Sequence, residues 1–262
     1  MSRPASTRPA GAAGGGGPLI LVAASGLARE AAQAARAAGG HDILGFVDDN
    51  PARWGSEIDG LPVLGGLDAV TERPQARIVL CPGPGRGRER LAGRLAEAGV
   101  TEERYATIVH PTAAVSGSST VGPGCVLLAG VVLTASVQLG RHVVIMPNTV
   151  LTHDDVVDDY ATLCASVSLA GSVRVGSGAY LGAGALVREG LTVGPWSTLG
   201  MGAVALHDVP EREVWVGNPA RFLRPADVPD PAPSRRQPPA SAGHSPGPPP
   251  PGATQPSSRL WR

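Results

Sequence analysis

Lysine is absent from this chain. All 22 basic side chains are arginine, balanced by 22 aspartates and glutamates, so the formal net charge is zero. A neutral balance gives no electrostatic reason for nucleic acid or an anionic membrane as a partner. Cysteine is scarce as well. Cys81, Cys125 and Cys164 lie far apart without metal-ligand spacing, and they read as small core residues of a cytoplasmic protein that holds no metal. No run of about 18 apolar residues exists to make a membrane span. No apolar segment follows the basic start, so no secretory signal is expected. The complete G-x-G-x-x-G fingerprint of dinucleotide folds is missing, and no cysteine or serine stands out as an activated nucleophile.

What the chain does have is a six-residue period. Every sixth residue from Val115 to Leu199 is aliphatic, through Val121, Leu127, Leu133, Leu139, Ile145, Leu151 and onward without a miss. The residue four places after each is small or β-branched at most rungs. Glycine often follows the aliphatic directly, as at Gly122, Gly140, Gly176, Gly182, Gly194 and Gly200. Neither a 3.6-residue helix nor a two-residue strand alternation produces six. A hexapeptide β-helix does: each rung is one short strand and one corner, with the aliphatic side chain inward and glycine relieving the corner backbone. A rung cannot bury its own face, so the unit works only as a stack.

Residues 1–17 are low in complexity and are expected to form a disordered tail. Apolar runs at 19–23, 43–47 and 78–81 read as buried strands; the stretches 27–38 and 88–98 read as helices stopped by Gly39 and Gly99. Strands alternating with helices imply a small parallel sheet. The expected organisation is an α/β, Rossmann-like domain at 18–108, a parallel β-helix of hexapeptide repeats at 109–224, and a Pro-rich disordered tail at 225–262.

The first strand–turn–helix has the outline of a nucleotide-binding entry, because free N–H groups at a helix N-terminus favour phosphate. Ala23, Ser25 and Ala28 hold the places of the missing glycines, and small side chains still permit close approach. Asp48 ends the second strand, where an acidic group accepts hydrogen bonds from a ribose or base. The competing reading is a plain helix-start turn and an exposed Asp48-Asp49-Asn50 loop. The loop 82–87 also lies at the carboxyl end of a strand. His153-Asp154 is the sharper signal. It directly follows the inward Leu151, and Asp155 takes a place that elsewhere holds small or apolar residues. A carboxylate beside an imidazole orients the ring and fixes its tautomer, which makes a natural general base; the competing reading is a solvated surface histidine. His110 precedes proline at the domain junction and reads as structural, and His142 and His207 occupy outward repeat positions.

Taken together, these residues resemble the sugar O- and N-acetyltransferase family that includes sialic-acid O-acetyltransferases and UDP-4-amino-sugar N-acetyltransferases. The matching features, in order over about 19–223, are Ala24-Ser25-Gly26, Val47-Asp48-Asp49, His110-Pro111-Thr112-Ala113, Thr152-His153-Asp154, the hexapeptide array, and Gly217-Asn218-Pro219-Ala220-Arg221. The resemblance implies a homotrimer of left-handed β-helices, a nucleotide-sugar held by the N-terminal domain, and acetyl-CoA lying along the β-helix between subunits. It makes His153 the base and Asp154 its tuning partner, with direct transfer and no acyl-enzyme. It places the nucleotide-sugar at Ser25, Gly26, Leu27, Asp48 and Asp49, and acetyl-CoA at Thr162, Gly171, Ala183 and Met201. Two departures stand out: Ala23 and Leu27 replace a glycine and a histidine of the entry turn, and Thr162 replaces a second histidine.

Three other readings compete with this one. A sialic-acid-type O-acetyltransferase differs only in the acceptor atom. A non-catalytic β-helix scaffold would make His153 incidental, which the intact His153-Asp154 pair argues against. A nicotinamide-dependent oxidoreductase lacks both the glycine fingerprint and a second catalytic lobe.

Overall fold

The computed structural model describes residues 16–227. Most of both expected tails lies outside the described residues. Gly17, however, already opens the first strand, and Pro225 closes the last one. The chain begins with β1 (Gly17–Val22), α1 (Gly26–Ala38) and β2 (His41–Val47). A hairpin of β3 (Glu57–Ile58) and β4 (Leu61–Pro62) follows, then α2 (Asp68–Thr71), β5 (Arg77–Leu80) and α3 (Gly85–Glu97). β1 lies between β2 and β5 in a three-stranded parallel sheet. The side of α1 facing the sheet carries Ala28, Ala31, Ala32 and Ala35, so the helix lies close on the strands. Helix α3 starts three residues before the stretch that the sequence pattern marks. Pro84 stands at its N-cap with φ −69°, and from there the glycine-rich loop passes straight into helical turns.

From Ile108 onward the chain winds as a β-solenoid consistent with a left-handed β-helix. Its two-residue strands stack in parallel on three faces. Face 1 carries Val132–Leu133, Val150–Leu151 and Ser168–Leu169; face 2 carries Gln138–Leu139 and Val156–Val157; face 3 carries Val126–Leu127, Val144–Ile145 and Thr162–Leu163. Three rungs make one coil, so Val132 pairs with Val150 and Val150 with Ser168. The aliphatic positions at six-residue spacing and the small residues four places later fill one core down the axis.

The glycines that follow the aliphatic positions play a different part from the one expected. Positive φ falls two residues further on, at Asn148, Asp154, Tyr160 and Trp196 among others, while Gly122, Gly176 and Gly194 lack it. At Gly194 a β-carbon would lie 2.5 Å from the Glu211 amide nitrogen. These glycines exist because the next coil's backbone crosses where a side chain would begin.

Face 3 is covered by the α/β unit. Val126, Leu128 and Val144 point away from the β-helix axis, yet they are buried in one cluster with Leu19, Ala28, Ala31 and Ile108. The two parts therefore share a core. Among the described residues, no helix is long and apolar enough to cross a membrane.

Candidate active site

His153 stands on the corner between faces 1 and 2, just after the buried Leu151. Asp154 takes the left-handed corner conformation with φ 62°, which a short carboxylate side chain tolerates better than most. Its amide donates to Ala135 O at 3.0 Å, and the Ser172 amide donates to His153 O at 2.9 Å, so both neighbouring coils hold the corner. His153 Nδ1 lies 2.9 Å from Asp154 Oδ2, and the two side chains are 65% and 62% exposed. With Nδ1–H donating to the carboxylate, Nε2 is the ring nitrogen left as a base. One coil further on is Gly171, where a β-carbon would press against His153 Nε2 and Cε1. The ring thus rests on bare backbone.

The next residue points the opposite way. Asp155 is completely buried, its Oδ2 accepting from the Thr152 amide at 2.8 Å and its Oδ1 from the Val173 amide at 2.8 Å. Burial pushes its carboxyl up to about 6, against the two amide N–H groups and the His153 side chain, which favour the charged form.

The nucleotide-side residues divide. Asp48 and Asp49 line a cavity of about 170 Å³ at the carboxyl ends of β1, β2 and β5, together with Ala23, Pro82 and Arg90. Asp48 accepts from the Ala24 amide at 2.9 Å and lies 3.3 Å from Arg53 Nη1, which ties the entry turn to β2. Asp49 pairs with Arg94 of α3 at 2.6 Å. Ser25 is the N-cap of α1: its hydroxyl accepts from Ala28 N at 3.1 Å and donates to Cys81 O at 2.6 Å. Gly26 is exposed, whereas the Leu27 side chain is buried in the core shared with face 3, which leaves only its backbone for any ligand. Ala23 has φ 83°, a left-handed backbone, so alanine stands at a position whose geometry favours glycine.

The coenzyme positions fall on three different parts of the β-helix. Gly171 shares His153's corner. Ala183 and Met201 stack on the corner between faces 3 and 1, where the Gly202 amide donates to Ala183 O at 2.9 Å and Met201 is 80% exposed. Thr162 lies on face 3, buried against the α/β unit. Its hydroxyl accepts from Arg88 Nη2 at 2.9 Å and donates to Gly83 O at 3.2 Å.

That seam also buries His142, although it stands at an outward repeat position. The imidazole is 2% exposed, edge-on to Tyr105 at 4.5 Å and stacked on Tyr160 at 5.2 Å. Burial and the nearby Arg88 and Arg141 push it down to about 4, so it is neutral. Arg88, which the sequence did not single out, is entirely buried. It donates to Pro82 O, Gly83 O, His142 O, Tyr160 O and Ala161 O over 2.6–3.0 Å. Arg86, Arg90 and Arg94 flank it in α3 at two- and four-residue intervals, so nothing local marks it out. The three cysteines are buried, as expected of core residues. Among the described residues, no group of three or more His, Cys, Asp or Glu side chains is placed to hold a metal ion.

Comparison with known proteins follows the same division. The model of the PglD N-terminal domain matches residues 18–94. The structure of PerB from Caulobacter crescentus, solved with CoA and GDP-perosamine, superposes with a TM-score of 0.72 at 30% identity, covering 79% of this chain and 97% of that one. The acetyltransferase domain of PglB from Neisseria gonorrhoeae, in complex with acetyl coenzyme A, gives a TM-score of 0.73 at 30% identity over 80% of this chain and all of that domain (100%). No curated protein matches the sequence.

Proposed function

Because the chain belongs to the hexapeptide-repeat family of sugar N-acetyltransferases, we propose that it transfers acetyl from acetyl-CoA to the amino group of a nucleotide-linked sugar. The observation that carries this reading is the exposed His153–Asp154 pair, seated on the bare backbone of Gly171. As the acceptor amine attacks the thioester carbonyl, Nε2 of His153 takes its proton. Asp154 stabilises the imidazolium that forms. The new C–N bond replaces the C–S bond, and CoA leaves as the thiolate that His153 then protonates. No acyl-enzyme forms; the cysteines are buried, and burial pushes Cys81 and Cys125 up to about 12.

Asp48, Asp49 and the cavity they line receive the nucleotide-sugar, with Ser25, Gly26 and Leu27 of the adjoining entry turn meeting it through backbone. Gly171, Ala183 and Met201 form the acetyl-CoA face. Thr162 is left out, since its hydroxyl is already taken up by Arg88 and Gly83. The corners of Gly171 and Met201 belong to different edges of one β-helix. A closed ring of three chains would set the His153 corner of one against the Met201 corner of the next, so we read the active form as a homotrimer.

The test is release of CoA thiol from acetyl-CoA with a panel of UDP-, GDP- and dTDP-linked amino sugars. One of them should support turnover, and His153→Ala should lower it by roughly 10²–10⁴. Failure of every acceptor, or an unchanged His153→Ala rate, overturns the reading. Light scattering should give a mass of three chains.

A further inference from the structure

The hydrogen-bond ladder is rewired at one rung, and that rung carries His153. At equivalent positions on face 1 the amide after the inward aliphatic enters the ladder: Ser116 N donates to Leu133 O at 3.0 Å, Thr134 N to Leu151 O at 3.1 Å, Ala170 N to Val187 O at 3.0 Å and Arg188 N to Ala205 O at 3.1 Å. At Thr152 the amide turns to Asp155 Oδ2 instead, 2.8 Å away, and the Thr152 hydroxyl donates to Leu169 O at 3.1 Å in its place. The bond to the following coil is a stronger form of one made elsewhere on the same corner. Val137 N donates to the Ser119 hydroxyl of the preceding coil at 3.1 Å. At the matching place Val173 N donates to a carboxylate oxygen, Asp155 Oδ1, at 2.8 Å.

A buried carboxylate needs partners to offset its desolvation. Here both partners are backbone groups that bracket the reacting side chain: Thr152 precedes His153, and Val173 lies two residues past the Gly171 on which the ring rests. We propose that Asp155 is a positioning residue, whose carboxylate clasps the His153 turn to the next coil and so holds the imidazole over Gly171. Asp155 does not touch the reacting atoms; it acts through His153. The inference rests on His153 being the base.

Its test is Asp155→Val, because valine occupies the same inward position at Val137, Val167 and Val173. Valine removes the buried carboxylate and lets the Thr152 amide return to the ladder, so the thermal midpoint should stay level or rise. Turnover should nonetheless fall at least about tenfold, within the ~10²-fold that a misplacement of about 1 Å can produce, with the KM for acetyl-CoA unchanged. In the His153→Ala background the same substitution should change nothing further. In protein with ¹⁵N-labelled histidine, the His153 ring signal, assigned by its loss in His153→Ala, should be single in the parent and broadened or split in Asp155→Val. Unchanged turnover, an equal fall in both backgrounds, or an unaltered ring signal overturns the proposal. A His153→Ala enzyme of full activity instead removes the base itself, a separate result. If Asp155→Val does not fold, Thr152→Val, which removes only the hydroxyl bond to Leu169 O, should show the same dependence on His153, and its absence likewise counts against the proposal.

Discussion

Gly171 lies one coil beyond His153, and the imidazole occupies the space where a β-carbon of residue 171 would be. The ring and a β-carbon at residue 171 thus exclude one another, and the glycine decides where the ring can sit.

Gly171→Ala should therefore act on the reaction while leaving the fold nearly intact. The obstructing group is an exposed ring that can swing away, so stability is expected to hold while turnover drops by about 10²-fold. Gly194→Ala should do the reverse. Its β-carbon meets the backbone of Pro210 and Glu211 at 2.5–2.8 Å, which cannot swing aside, and a loss of about 1–3 kcal/mol is expected with little change in rate per folded molecule. Urea unfolding and thiol-release assays on the two variants separate these outcomes.

Asp155 gives the stability a pH dependence of definite sign. Its folded value is raised to about 6 from an ordinary 3.8, so between these values the folded chain holds a proton that the unfolded chain has lost. The stability this group adds is complete below about 3.8 and is lost as pH rises through about 6. Thermal melts at steps from pH 4 to pH 7 should show Asp155→Val gaining on the parent as pH rises. A constant gap would contradict the raised value.

Arg88 should prove the main polar tie between the α/β unit and the β-helix. Arg88→Ala takes the donor from the Tyr160 and His142 carbonyls in a buried seam, and a loss of roughly 3 kcal/mol or more is expected. Arg88→Lys should not restore it, because one ammonium cannot serve acceptors spread around a planar fork. Denaturant unfolding of both variants checks this.

The β-helix was legible because every rung restates one local demand, an inward aliphatic residue every sixth place. The His153-Asp154 pair was legible for a similar reason: the two residues are adjacent, so their contact at 2.9 Å needs only a corner between them. Ser25 shows the limit of such reading. A serine at a helix start is compatible with a ligand or a cap, and only the positions of Ala28 N and Cys81 O show its hydroxyl to be committed to both.

By itself, then, the sequence determined the stacking unit, the α/β order of the N-terminal domain and the one rung whose chemistry is irregular, because each depends on neighbours along the chain. The tertiary structure decided which outward residues are buried, and with them the roles of His142, Thr162 and Arg88. Arg88 finds its acceptors on the β-helix 54–74 residues away. It also decided what Asp155 does, since its second partner, Val173, is brought alongside only when one coil closes on the next. Such contacts exist only where two distant segments meet, and no local pattern of residue types encodes the meeting.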